Sequence, residues 1–298
     1  MAELENLKTV AVIGPGVVGC ALGRLLSRRG YVVEAVAGRS LAQAQHAVEI
    51  MGAGCPVATP TEAARRADIV FITTPDHAIQ EVCATVAAER GFRAGAVVIH
   101  CSGALPAAVL AVARNCSAAV AALHPLQSFA SVDEAIELLP GTWFAFEGDA
   151  AAESVCDALV RALGGRLFRL SPESKPLYHA ASCMASNYLV VLVHLAASLM
   201  ERSGMSRGEA ICALLPLLRG TLRNIGAVGT PRALTGPIAR GDVETVTMHL
   251  RALREYPSEF GELYRFLGVE TVRLAQAKGT LDAARAARLL KVLRTPAV

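Results

Sequence analysis

The chain has few aromatic residues: Trp, Tyr and Phe make up 5% of its 298 residues, and Trp occurs once. Charge is also sparse, since charged residues amount to 18% and the formal net charge is +3. No basic stretch is interleaved with aromatic residues, so we do not expect nucleic acid as a partner. None of the eight cysteines belongs to a Cys-x-x-Cys pair, so we expect neither a zinc site nor any other bound metal.

A membrane-spanning segment and a secretory leader are likewise not expected. The most apolar stretch, Tyr188–Met200, is shorter than the about 20 residues that cross a bilayer and contains His194, so it is predicted to be a buried helix. The segment Met1–Lys8 is polar and acidic, unlike a signal peptide. Cysteines outside any pairing pattern suit a reducing compartment. We therefore expect a cytoplasmic protein with no membrane partner.

What the sequence does contain, near its beginning, is a glycine loop in a specific context. The β-branched run Val10–Ile13 is followed at once by Gly-Pro-Gly-Val-Val-Gly, then by helical spacing over Cys20–Arg29 and a second strand pattern over Tyr31–Ala37. Strand, glycine turn, helix and strand within about thirty residues is typical of dinucleotide binding. The alternative is a glycine turn in an α/β sheet that binds no nucleotide. The loop residues expected at the cofactor are Gly14, Gly16, Val17, Val18 and Gly19.

Strand and helix patterns continue to alternate up to about residue 168, and only helical patterns follow. This predicts an α/β protein with an N-terminal doubly wound Rossmann domain, whose sheet is mostly parallel, over 1–168. An all-α substrate and dimerisation domain is predicted over 169–298. Helices are predicted at 105–113, 150–163, 175–203, 206–226, 241–255, 257–278 and 281–293, among others.

The end of the second strand distinguishes the two nicotinamide cofactors. NAD-binding proteins commonly place Asp or Glu there to hold the ribose 2′-hydroxyl. This chain has Arg39 and Ser40 instead, and its nearest acid, Glu34, comes too early in the strand. A guanidinium and a hydroxyl suit a 2′-phosphate, which a carboxylate would repel. We therefore predict NADP(H) rather than NAD, with a solvated surface role for Arg39 as the alternative.

Two further loops leave predicted strands at the same edge of the sheet, where ligands of such folds bind. The first supplies Thr73, Thr74, Pro75 and His77 as cofactor-binding candidates, although Thr74 and His77 are equally explained by loop capping. The second loop contains Ser102.

Two regions are candidates for the chemistry. His124 follows a strand and could act as an acid or base near neutral pH, or simply hydrogen-bond within a turn. Lys175, His179, Ser182 and Ser186 share one helix face, and Asn187 lies about 80° around the helix from His179. Such a stripe could meet the substrate or form a domain or subunit contact. Ser186 and Asn187 lie about 16–18 Å along the helix from Lys175, so they would contact the same substrate only if it is elongated.

A third region, residues 234–242, combines a turn, a basic residue and a predicted helix N-cap at Asp242. Arg240 could bind a substrate carboxylate, but a structural loop between helices is the favoured interpretation.

Together these motifs resemble the Rossmann-like proteins with a DUF2520 C-terminal domain. The resemblance extends over nearly the whole chain. It rests on the glycine loop, Gly38-Arg39-Ser40, His124-Pro125-Leu126-Gln127-Ser128-Phe129, Tyr178-His179-Ala180-Ala181, Ala185-Ser186-Asn187-Tyr188 and Leu234-Thr235-Gly236-Pro237.

The resemblance implies an NADP-dependent or coenzyme F420-dependent oxidoreductase, of the superfamily that includes 6-phosphogluconate dehydrogenase, ketopantoate reductase and pyrroline-5-carboxylate reductase. Lys175 and His179 are similar to the Lys-x-x-x-Asn pair of β-hydroxyacid dehydrogenases, with His in place of Asn. Ser102 and His124-Pro125 are similar to two loops of prephenate dehydrogenases, which form intertwined helical dimers. A homodimer through the helical domain is implied here too.

The sequence thus predicts transfer of hydride between NADP(H) and a small oxo, hydroxy or imino acid in a cleft between the domains. Lys175 and His179 would orient the substrate and move a proton, with His124 and Ser102 facing them. The alternatives are a non-catalytic NADP(H)-binding sensor or partner protein and a biosynthetic enzyme without redox turnover.

Overall fold

A computed structural model describes residues 8–295. By compactness the chain divides into two units, Met1–Asn187 and Tyr188–Val298. The first unit contains every strand of the described chain and the helices interleaved with them, and the second is helical.

The sheet of the first unit has eight strands in the order β3-β2-β1-β4-β5-β6-β7-β8. All neighbours pair in parallel except β6 and β7, so the sheet is mostly parallel, as predicted. The strands are β1 (Thr9–Ile13), β2 (Val32–Ala37), β3 (Cys55–Val57), β4 (Ile69–Ile72), β5 (Val97–His100), β6 (Ala119–Pro125), β7 (Trp143–Gly148) and β8 (Arg166–Arg169).

The strand order reverses between β1 and β4, which is where ligands bind in doubly wound sheets. Both strands are almost wholly buried, because helices cover both faces of the sheet. The helices of this unit are α1 (Val17–Arg28), α2 (Leu41–Met51), α3 (Pro60–Ala64), α4 (Asp76–Ala88), α5 (Val132–Leu138), α6 (Ala150–Ala162) and α7 (Lys175–Ala185).

Two elements of the first unit differ from the prediction. The helix expected over 105–113 is a 3₁₀ helix, Ala107–Cys116, whose end at Ser117 is left-handed with φ 58°. Helix α5 was not expected, although Ser131 accepts a hydrogen bond from the backbone N–H of Glu134 as an N-cap should. The Ser-x-x-Glu spacing of a helix N-terminus is therefore present in the sequence, but the apolar run that follows it is too short to predict a helix.

The helices of the second unit are α8 (Asn187–Glu201, from the last residue of the first unit), α9 (Arg207–Val228), α10 (Thr230–Ala233), α11 (Pro237–Arg240), α12 (Val243–Ala252), α13 (Ser258–Lys278) and α14 (Ala283–Arg294). Its core lies among α11, α12, α13 and α14. The predicted N-cap Asp242 accepts from the backbone N–H of Thr245 at 3.0 Å and begins α12.

The long helix predicted over 175–203 is in fact two helices. Ser186 has φ −113° and ψ −70°, outside regular helix geometry, and separates α7 from α8. The prediction of a buried helix over Tyr188–Met200 is also wrong for the single chain, since Ala197 alone is buried in α8. By length and composition alone, the helical stretches Pro172–Glu201 and Arg207–Val228 could each cross a membrane.

The change from strands to helices follows β8, close to the boundary predicted at 168 and 169. The division by compactness comes later, after Asn187, because α7 packs with the sheet of the first unit.

Candidate functional site

A cavity of about 710 Å³ lies in the first unit, at the carboxyl ends of β1, β2 and β4. Its lining includes the glycine loop, the residues after β2 and the loop that leads into α4. The residues are Ile13, Gly14, Gly16, Val17, Val18, Ala37, Gly38, Arg39, Gln43, Pro60, Thr73, Thr74, Pro75, His77, Ala78 and Val82. This volume is in the range of small-molecule and cofactor sites.

The glycines of the loop have different surroundings. Gly14 has φ +84°, and a Cβ there would stand 2.6 Å from the backbone N of Thr74. A Cβ on Gly16 would meet nothing within 4 Å, so the backbone faces open space where the α1 helix begins. A Cβ on Gly19 would clash with the Thr73 hydroxyl and would also lie 3.0 Å from Val12, which explains why a glycine is needed at this position of α1.

The loop after β4 is tied to the glycine loop. Thr73 donates its backbone N–H to Ile13 O at 2.8 Å and its hydroxyl to Gly14 O at 2.7 Å. Among the described residues the neighbouring Thr74 hydroxyl, which is buried, has no hydrogen-bond partner. A buried hydroxyl without a partner is costly, but because this oxygen is shielded from solvent, a molecule in the cavity could reach it only if the side chain rotated.

The cavity residues that follow β2 bear on the choice between NADP and NAD. Arg39 lines the cavity and is exposed, and within residues 8–295 no Asp or Glu is among the lining residues. Ser40 does not line the cavity. Its hydroxyl accepts from the backbone N–H of Gln43 at 3.2 Å as the N-cap of α2, which leaves its proton available for donation. Arg39 itself donates its backbone N–H to the Gln43 side chain at 2.9 Å.

These features fit a dinucleotide. An open glycine at a helix N-terminus suits a pyrophosphate, and Arg39 among lining residues without an acid suits a 2′-phosphate better than a bare ribose. Among residues 8–295, no group of three or more His, Cys, Asp or Glu side chains is placed to hold a metal ion.

A second cluster of polar residues forms where the loop after β5, the end of β6 and α7 meet. Lys175, the first residue of α7, is 1% exposed, and its ammonium donates to Ser102 O at 3.4 Å. Burial lowers the pKa of Lys175, whereas the charges of Glu147 and Asp76 act in the opposite direction. A buried cation is thus held near two carboxylates.

Ser102 belongs to this cluster through its backbone carbonyl rather than its hydroxyl. The hydroxyl donates to Asp76 at 2.7 Å and accepts from the backbone N–H groups of Ala104 and Leu105, at 3.2 and 3.1 Å. It is therefore fully engaged in holding the loop after β5.

His124 and His179 approach each other around Gly103. Their ring centroids are 6.4 Å apart, and a Cβ on Gly103 would stand 2.9 Å from His124 Nε2 and 2.8 Å from His179 Cδ2. His124 Nδ1 is 2.6 Å from the hydroxyl of Tyr178. Burial, followed by the charge of Lys175, lowers the pKa of His124 to about 4.

A third histidine, His100, lies next to this cluster. His100 is fully buried at the end of β5, where its Nδ1 accepts from the backbone N–H of Ser102 at 3.1 Å and its Nε2 lies 3.2 Å from Pro106 O. Since a backbone N–H only donates and a carbonyl only accepts, the imidazole is neutral with its proton on Nε2. Burial and the Lys175 charge lower its pKa to about 4.

The structure therefore brings together Lys175, His179, His124 and Ser102 of the predicted chemistry. Ser182 is near them on α7, but its hydroxyl donates to Tyr178 O at 2.9 Å. Asn187 is exposed beyond the break in the helix, and Arg240 is exposed at the end of α11 in the second unit. Substrate binding by these last two residues stays a prediction.

Four residues of this cluster were not identified as site candidates from the sequence: Asp76, Gly103, Glu147 and Tyr178. Glu147 is 8% exposed, and its carboxylate accepts from the backbone N–H of Ala107 at 2.6 Å. No local pattern marks it, because the pairing of β7 brings it to the cluster. Tyr178 lay inside a motif that carried the family resemblance, and its position one residue before His179 was the available signal.

Comparison with known proteins agrees with this architecture. Residues 3–125 match the model of a Rossmann-like domain, and residues 142–271 match a domain of unknown function, DUF2520. A comparison with curated protein sequences gave no significant match.

Three solved structures illustrate the likeness. A Bacteroides fragilis protein provisionally described as an NADP oxidoreductase has a TM-score of 0.72 and 22% identity, covering 91% of this chain and 99% of that one. Pyrroline carboxylate reductase of Plasmodium falciparum, with NADP bound, has a TM-score of 0.58 and 12% identity over 97% and 98% of the two chains. An imine reductase from a Pseudomonas species has a TM-score of 0.60 and 19% identity over 97% and 93%.

At these identities the likeness establishes the fold. With the two domain matches, it shows that this chain is a Rossmann-like and DUF2520 domain-containing protein.

Proposed function

We propose that this protein is an NADP(H)-dependent oxidoreductase that acts on a small oxo, hydroxy or imino acid. The observation that carries the proposal is the cavity of about 710 Å³, which joins the glycine loop to Arg39 and, in the described part of the chain, has no carboxylate in its lining. The similar structures support a nicotinamide cofactor, since one of them contains NADP.

The residues that would hold the cofactor divide by function. Gly14, Gly16, Val17, Val18 and Gly19 belong to the loop that would hold the pyrophosphate. Arg39 and Ser40 would bind the 2′-phosphate, and Thr73, Thr74, Pro75 and His77, which also line the cavity, would contact the rest of the cofactor. Once bound, the nicotinamide supplies or accepts the hydride. Every other requirement of the reaction falls on the protein.

Reduction of a C=O or C=N bond requires a proton at the heteroatom in addition to hydride. His179 is the half-buried group of the cluster that would supply such a proton, and His124, neutral at pH 7 because its pKa is about 4, would orient the heteroatom. Lys175 is buried, so it acts by its positive charge, which favours an anionic substrate and the negative charge that develops during hydride transfer. Ser102 holds Lys175 through its carbonyl.

Turnover tests the enzymatic part of this proposal. Purified protein is mixed with NADPH and a panel of 2-oxo acids and cyclic imino acids, and loss of reduced-nicotinamide absorbance is followed. We expect turnover with at least one class, its loss in Lys175→Ala and His179→Ala, and unchanged NADPH affinity in both variants. Tight NADPH binding without oxidation by any member of the panel would instead support the non-catalytic sensor.

We further propose that a second copy of the chain covers the exposed apolar residues of α8 and α9. These are Tyr188, Val190, Val191, Leu192, Ile211, Leu215, Leu217, Leu222, Ile225 and Val228. A surface of this kind on a water-soluble chain indicates a protein interface. A bilayer is the less suitable occupant, because His194 in the middle of α8 accepts from Arg207, which also donates to Glu201 at 2.7 Å. We likewise propose that the protein is cytoplasmic.

A further inference from the structure

Tyr178 and His124 form a pair that the proposed chemistry does not yet use. The phenol oxygen lies 2.6 Å from His124 Nδ1, and the two rings meet edge to face, with centroids 5.6 Å apart and an interplanar angle of 83°. Tyr178 also packs against Phe168, with 5.8 Å between the ring centroids. The phenol is therefore fixed on α7 and directed at one nitrogen of one histidine.

The short distance indicates which group donates. O–H donors give heavy-atom separations of about 2.7 Å, whereas N–H donors to oxygen give about 2.9 Å. Burial also raises the pKa of Tyr178 to about 12, so the phenol keeps its proton at neutral pH. With His124 neutral, either the phenol O–H donates to Nδ1 or Nδ1–H donates to the phenol oxygen, and the short distance favours the first arrangement.

A neutral imidazole that accepts at Nδ1 must carry its proton on Nε2. Nε2 is the atom that faces the Gly103 backbone, on the side where His179 lies. The groups around His124 are Lys175, His179, Asp76 and Tyr178. Burial, Lys175 and His179 disfavour a second proton on the ring, and Asp76 acts in the opposite direction.

We infer that Tyr178 is a positioning residue, which holds His124 as a neutral hydrogen-bond donor through Nε2–H. The inference rests on the proposed function for its chemical meaning: His124 would hydrogen-bond the substrate heteroatom as a fixed donor and would not remove a proton from it as a base. Its structural content, the tautomer of His124, can be tested without any substrate.

The test is the ¹⁵N spectrum of the histidine side chains at pH 7, recorded through the couplings to the ring carbon-bound protons. In neutral imidazole the protonated and unprotonated nitrogens resonate far apart, so the tautomer is read directly. His124 is assigned from its loss in His124→Gln. His100 gives an internal standard, since its two backbone contacts require the Nε2–H form.

We expect His124 to show the Nε2–H form in the wild type and a shift of Nδ1, with a mixture of tautomers, in Tyr178→Phe. The matched control is Tyr264→Phe. Tyr264 makes the same edge-to-face contact with His249 in the second unit, with its hydroxyl 2.8 Å from Nδ1. That variant should alter His249 and leave His124 unchanged.

Two results would overturn the inference: an Nδ1–H tautomer of His124 in the wild type, or a His124 spectrum that Tyr178→Phe leaves unaltered. Calorimetric titration of NADPH into the wild type and Tyr178→Phe distinguishes failure of this inference from failure of the proposed function. Normal NADPH binding with an altered His124 spectrum supports the positioning role. Failure of the wild type to bind NADPH would contradict the proposed cofactor while leaving the tautomer result intact.

Discussion

The hydroxyl of Ser102 donates a 2.7 Å hydrogen bond to the carboxylate of Asp76, joining the loop after β5 to the first turn of α4. The same oxygen accepts from two backbone N–H groups. Ser102 therefore stabilises the loop after β5. The first effect expected of its substitution is a change in the free energy of unfolding.

Ser102→Ala leaves two backbone donors without their acceptor, and Ser102 is only 6% exposed. An unsatisfied buried donor costs about 1–3 kcal/mol, so we expect a loss of that size in the free energy of unfolding measured in urea. Asp76→Asn keeps an acceptor for the serine hydroxyl and should cost less. A change in Ser102→Ala within about 0.5 kcal/mol of zero would show that the hydroxyl is not engaged as described.

Gly103 sets the distance between the two histidines of the site. In Gly103→Ala the new methyl would lie 2.8 Å from His179 Cδ2 and 2.9 Å from His124 Nε2, so both rings must move. We expect turnover to fall by at least about 100-fold, as follows when reacting groups are displaced by about 1 Å, while NADPH affinity is kept. Gly208→Ala, where a Cβ would meet nothing within 4 Å, is the control. Full activity of Gly103→Ala would exclude the pair from the chemistry.

Stability should depend on pH through His100 and His124. Each has a folded-state pKa of about 4 against an ordinary 6.5, so below pH 6.5 the unfolded chain takes up protons that the folded chain does not. Unfolding free energy is therefore fully retained above pH 6.5 and falls as the pH drops toward 4. For the fully buried His100 the loss is about 3 kcal/mol.

Urea unfolding at a series of pH values from 7 to 4.5 measures this loss. We expect His100→Gln to flatten the dependence, even if it lowers stability at pH 7. The exposed His46 provides the control, and His46→Gln should keep the wild-type slope. Equal slopes for the wild type and His100→Gln would contradict the burial of a neutral imidazole.

The oligomeric state tests whether a second copy of the chain covers the exposed apolar residues of α8 and α9. Val190 and Leu217 are 69% and 66% exposed in the single chain. If a second copy covers them, light scattering should give twice the chain mass without detergent, and Val190→Glu with Leu217→Glu should give monomers. A wild-type monomer in plain buffer, or a protein that stays in solution only with detergent, would refute the dimer.

Much of the first unit follows from local sequence rules. Helix α2 is bounded by local signals, because Ser40 caps it and Gly52 ends it at φ 66°. The glycine loop is recognisable because each glycine meets a backbone constraint that a pattern can express. The loops after β4 and β5 could be assigned to the site because parallel strands end at one edge.

The remainder depends on tertiary contacts that no local pattern records. The break at Ser186 comes without proline or glycine, so periodicity continues through it. The pairing of Tyr178 with His124 spans 54 residues, and Lys175 reaches Ser102 across 73. The exposure of α8 could not be predicted either, since an apolar helix buried in its own chain and one left uncovered have the same composition.

We propose that the glycine-loop cavity binds NADP(H) and selects it through Arg39. Calorimetric titration of NADPH and NADH into the wild type, Arg39→Ala and the control Arg28→Ala, an exposed residue at the end of α1, tests this most directly. Loss of a charge-assisted contact of about 1.5–3 kcal/mol should weaken NADPH binding about 10- to 100-fold in Arg39→Ala alone. NADH affinity should not change. Equal affinity of the wild type for both cofactors, or an Arg39→Ala variant that binds NADPH as the wild type does, would contradict the account.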